Sequence, residues 1–74
     1  MKGMVFTEFL EMVEQTWSAD LVDELIESSD LPSGGVYTAV GTYDHKEIVA
    51  LVEALSARTG MSVPELVKAF GGYL

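Results

Sequence analysis

The chain has 74 residues, no cysteine, an apolar content of 49% and a net charge of −8, which together exclude disulfides and thiolate metal sites. Its basic residues, Lys2, Lys46, Arg58 and Lys68, are scattered, so no cationic stripe exists to replace phosphate counterions or to hold an anionic membrane. Glu8, Glu11 and Glu14 interrupt the first apolar run, which rules out both a membrane span of ~20 residues and the unbroken core of a signal peptide. The sequence reads as soluble and cytoplasmic, with no nucleic-acid or membrane partner.

The first predicted helix runs from Met4 to Trp17. Val5, Phe6, Phe9, Leu10, Met12, Val13 and Trp17 recur at helical spacing, with the three glutamates on a solvated face between them. Ser18 is the predicted N-cap of a second, shorter helix, and Asp20 falls in its first turn, where a negative charge suits the exposed amides. Leu21, Val22, Leu25 and Ile26 form its apolar stripe. Leu31-Pro32-Ser33-Gly34-Gly35 then ends the helix and opens a connector. Val36–Val40 has β-type residues without a partner strand, so it reads as extended linker.

Asp44 is the predicted cap of the third helix, and Glu47 completes a capping-box pattern with it. Ile48, Val49, Leu51, Val52 and Leu55 give that helix its apolar face, and Gly60 is a left-handed stop. Ser62 with Glu65 repeats the capping box for a fourth helix, with Pro64 in its first turn, where a missing N–H costs little. Val63, Leu66, Val67 and Phe70 are expected to face inward, and Gly71-Gly72 reads as a hinge. The fold class is therefore all-α, a small four-helix arrangement.

Catalytic chemistry has little to build on. A nucleophilic triad needs a base beside a serine or cysteine, and the sole histidine, His45, opens the third helix, where an imidazolium would oppose the local dipole. It reads as a solvent-facing first-turn residue, with Asp44 and Glu47 beside it assigned to capping. The glycine pairs lack the strand–turn–helix context and the lysine of a phosphate-binding loop. No catalytic residue and no metal ligand is assigned, and the chain is not read as an enzyme.

Size and acidity also suit an acyl carrier protein, which needs Asp-Ser-Leu at a helix start to carry a phosphopantetheine arm. Here Ser28-Ser29-Asp30-Leu31 has the wrong order, sits at a helix end and precedes Pro32. A second family fits better. The Met1-Lys2-Gly3-x-Val5 opening, Phe9-Leu10-Glu11-Met12-Val13, Gly35-Val36-Tyr37-Thr38 and Tyr43-Asp44-x-x-Glu47 follow one another in order. They lead to Val63-Pro64-Glu65-Leu66-x-x-Ala69-Phe70-Gly71-x-Tyr73-Leu74, the most specific segment. In this order and spacing the chain resembles the haem–nitric oxide/oxygen-binding (H-NOX, HNOB) family of gas sensors along its whole length.

The resemblance implies a domain more than twice as long, of which residues 1–74 are the N-terminal distal helical part. In that family the distal lobe closes over haem b held by a proximal lobe. The axial histidine and the Tyr-x-Ser-x-Arg propionate clamp belong to that lobe and are expected to lie beyond Leu74. His45 is not the axial ligand, and tight haem binding by this chain alone is not expected. Distal cofactor-contacting positions map onto Val5, Phe9 and Leu74. All three are apolar and offer no hydrogen bond to iron-bound dioxygen, which favours nitric oxide as the sensed gas. Signalling would pass to a partner such as a histidine kinase or a cyclic-dinucleotide enzyme.

The alternative from another class is a stand-alone acidic interaction module without haem. A chain of this length buries only roughly 60% of its unfolded surface. Its high apolar content, with no disulfide to staple it, suits a surface covered by another protein or by a second copy in a homo-oligomer.

Overall fold

Apolar side chains at helical spacing turn one face of each helix inward, and local caps set where each helix starts and stops. The computed structural model describes residues 1–73, the side chains of 72 and 73 excepted. The helices are α1 (Gly3–Thr16), α2 (Ala19–Ser28), α3 (His45–Thr59) and α4 (Val63–Tyr73). Among the described residues there is no strand, only an isolated antiparallel bridge between Lys2 and Thr42. The fold is all-α, as the sequence predicts. No helix in the described residues is long and apolar enough to cross a membrane.

Phe6, Phe9, Met12 and Val13 of α1 meet Leu25 of α2, Ile48, Leu51 and Leu55 of α3, and Leu66 of α4 in one buried cluster. α1 packs against α2 and α4, and α3 packs against the same two helices. The stripe of α2 is narrower than its sequence suggests. Leu25 is buried, whereas Leu21, Val22 and Ile26 are half-buried at the edge.

Three of the predicted boundaries are visible as hydrogen bonds. Ser18 Oγ accepts from the Leu21 N–H at 3.1 Å and caps α2. Gly60 ends α3 at φ 78°, a left-handed conformation that costs glycine little, and its N–H donates to the Ser56 carbonyl at 3.0 Å. Ser62 Oγ accepts from the Glu65 N–H at 3.3 Å, while its hydroxyl donates to the Glu65 carboxylate at 3.1 Å. At the far end, α4 does not hinge at its glycines; it continues through them to Tyr73.

The predicted capping box at the start of α3 is only half formed. Asp44 Oδ1 does accept from the Lys46 N–H at 3.0 Å, a bond that holds its carboxyl below the usual carboxylate range. Glu47, however, turns away from the cap and into the protein, where it is 5% exposed. Its Oε1 accepts from Ser33 Oγ at 2.6 Å and from the Tyr37 hydroxyl at 3.0 Å. Both donors lie on the connector between α2 and α3. Burial pushes the Tyr37 phenol up to about 12, and the Glu47 carboxylate adds to the shift.

The connector is tied down at several further points. Tyr37 stacks on Phe6 with ring centroids 4.4 Å apart, and Tyr43 stands edge-on to both rings at 4.9 and 5.5 Å. The Tyr43 hydroxyl accepts from the Thr38 N–H at 2.8 Å. Gly3 donates its N–H to the Gly41 carbonyl at 2.8 Å, and Tyr43 donates to the Met1 carbonyl at 2.8 Å. Gly3 is buried here because only a residue without a Cβ can lie against the Thr38 carbonyl and the Tyr43 ring.

Candidate functional site

Several of the apolar residues that the core leaves uncovered collect in one place, apart from Met4, Val36 and Val40. Val63 and Val67 of α4, expected to face inward, are 38% and 56% exposed, and Val49 of α3 is 45% exposed. With Met1, Val5, Ile48, Val52, Glu53 and Phe70 they line a groove of about 260 Å³. Enclosed ligand pockets usually measure roughly 300–1,000 Å³, so this smaller groove is better described as one wall of a site.

The exposure of Val63 and Val67 has a simple physical reason. Helical periodicity shows that residues share a face but not what covers that face. Leu66 is held under the other helices, whereas Val63 and Val67 stand one ridge further round and remain partly exposed. α3 shows the same division, with Leu51 and Leu55 fully buried and Val49 open.

The residues proposed from sequence fall into three places. Val5 is half-buried and lines the groove. Phe9 is 1% exposed and lies in the core behind Phe70, the two rings meeting edge to face at 5.5 Å. Leu74 lies outside the described residues. Phe70 is therefore the aromatic ring that the groove presents, with Phe9 as its support. Met1, Val49, Val52, Val63 and Val67 were not assigned to a site from sequence. The usable signal was an apolar content greater than so small a core can hold.

The chemistry of the groove is almost wholly hydrophobic. Among the described residues Glu53 is its sole charged lining residue, and as a carboxylate it accepts hydrogen bonds but donates none. None of the described lining side chains is an imidazole or a thiolate. His45 stands at the start of α3 with its side chain 70% exposed, 3.6 Å from Asp44 Oδ1, and is not part of the groove. Among the described residues no group of three or more histidine, aspartate or glutamate side chains is placed to hold a metal ion. The described lining is therefore an apolar surface that offers no strong metal ligand.

Comparison with known proteins shows the family and the fold. The Haem-NO-binding (HNOB) family pattern matches residues 2–74. The crystal structure of the Fe(II) unliganded H-NOX protein from K. algicida superposes with a TM-score of 0.93 at 44% identity, covering 95% of this chain and 38% of that one. A point mutant of the same protein gives 0.94 at 45% identity, over 96% of this chain and 38% of that one. The solution structure of the IWP-051-bound H-NOX from Shewanella woodyi, in its Fe(II)CO ligation state, gives 0.81 at 46% identity. It covers 96% of this chain and 37% of the other, so the chain spans under two-fifths of the length of these relatives. No curated protein matches.

Proposed function

The chain belongs to the haem–NO-binding family, and from that premise we propose that it forms the distal helical wall of a haem-based gas sensor that favours nitric oxide over dioxygen. The observation that carries this reading is the open apolar groove between α1, α3 and α4. Haem, when bound, supplies the iron at which a gas coordinates. The chain's own residues that would lie against the macrocycle and keep water from it are Val5 from α1, Val49 and Val52 from α3, and Val63, Val67 and Phe70 from α4. Burying such surface is favourable by roughly 25 cal/mol per Å².

Selectivity follows from what the wall lacks. Iron-bound dioxygen is polar and gains from a hydrogen-bond donor, whereas bound nitric oxide depends on one less. Among the described residues, none of the lining side chains donates. A signalling partner, a histidine kinase or cyclic-dinucleotide enzyme on the family pattern, would then respond to movement of this wall.

The test is a haem titration of the 74-residue chain in the reduced state. Weak binding is expected, without the sharp Soret band of five-coordinate histidine-ligated haem. Val67→Glu, at a half-exposed position, should weaken binding about tenfold or more while changing stability by no more than about 0.5 kcal/mol. A histidine-type spectrum lost in His45→Ala, or an affinity unchanged by Val67→Glu, would overturn the proposal.

A further inference from the structure

Glu47 is the one charged side chain that the described core buries, and among the described residues it makes no ion pair. Burying a carboxylate is costly unless its oxygens are well hydrogen-bonded, and an apolar side chain of similar size would satisfy packing alone. What Glu47 provides instead is a fixed acceptor. Its Oε1 takes the Ser33 and Tyr37 hydroxyls together and so fixes the connector against α3.

From that oxygen a continuous path of contacts leads to the groove. Tyr37 is stacked on Phe6 and stands edge-on to Tyr43. The Tyr43 backbone exchanges hydrogen bonds with Met1, its N–H donating to the Met1 carbonyl and its carbonyl accepting from the Met1 nitrogen, each at 2.8 Å. The side chains of Met1 and, further along α1, Val5 are walls of the groove. The N-terminal segment therefore rests on the connector, which Glu47 helps to hold against α3.

We propose that Glu47 is a positioning residue for the groove, setting through Tyr37 and Tyr43 where Met1 stands at its edge. The consequence for ligand affinity rests on the groove being a ligand wall, as proposed above; the consequence for Met1 does not. Because one oxygen receives both hydroxyls, a glutamine keeps the geometry through its amide oxygen, whereas alanine releases the connector.

The experiment compares Glu47→Ala and Glu47→Gln with the parent chain, at a temperature where circular dichroism shows each fully folded. Three quantities are read: the Met1 methyl resonance, exchange of the Gly3 and Tyr43 amides, and affinity for metal-free protoporphyrin IX by fluorescence. Glu47→Ala should shift the Met1 methyl, speed exchange at both amides about tenfold, and weaken porphyrin binding about threefold to tenfold. Glu47→Gln should restore all three. If Glu47→Ala does not fold, Ser33→Ala and Tyr37→Phe each remove one of the two donors and take its place. A Met1 methyl and Gly3 amide that stay at parent values would overturn the proposal, as would a glutamine variant that behaves like alanine. If the parent binds no porphyrin, the ligand-wall reading fails, and the methyl and amide signals still decide the positioning role.

Discussion

The connector between α2 and α3 and the helix α4 invert the usual relation between regularity and anchoring. The connector has no repeating structure, yet a buried carboxylate, three stacked or edge-on aromatic contacts and backbone bonds to the N-terminus hold it. α4 is regular through to Tyr73 and leaves Val63 and Val67 open. The lesson is that the irregular segment is part of the fold's foundation, while the regular one leaves part of its apolar face exposed.

The comparison breaks most visibly at Gly3. Gly3→Ala drives a Cβ into the Thr38 carbonyl and the Tyr43 ring, and should cost about 3 kcal/mol in urea unfolding, occasionally more. A loss below about 0.5 kcal/mol would show that the connector is not anchored there.

Tyr37→Phe sharpens the same point. It removes one hydrogen bond to Glu47 while keeping the stack on Phe6, and should cost about 1 kcal/mol near neutral pH. The parent chain carries a further signature. Its Tyr37 phenol is raised from 10.0 to about 12, so between those values the folded state holds a proton that the unfolded state has lost. Stability is then full below pH 10 and falls as pH rises toward about 12, a slope that should flatten in Tyr37→Phe.

The smallest effect belongs to α4. Gly71 lies in the helix with open space where a Cβ would stand, so Gly71→Ala should stabilise the chain by about 0.5 kcal/mol through helix propensity. A destabilising outcome would mean that Gly71 is held by something other than helix geometry.

What was legible in the sequence was local. The Ser18 cap, the Gly60 stop and the Ser62–Glu65 pair depend on neighbours within a few residues, so pattern alone placed them. Glu47 matched a local pattern equally well, but its partners Ser33 and Tyr37 lie 14 and 10 residues away, and tertiary contact outweighed the box. Val63 and Val67 failed for a related reason: a helical stripe does not reveal its cover. Of the site, Val5 and the apolar character were legible, while Phe70 was read only as core.

The most direct test of the groove as a ligand wall is a methyl-resolved NMR titration with metal-free protoporphyrin IX. Exposed valines on both regions make it self-controlled, since Val36 and Val40 of the connector are 73% and 94% exposed and lie outside the groove. Saturable shifts confined to Met1, Val5, Ile48, Val49, Val52, Val63 and Val67, with Val36 and Val40 still, are predicted. Equal shifts at the connector valines, or none that saturate in the groove, would contradict the account.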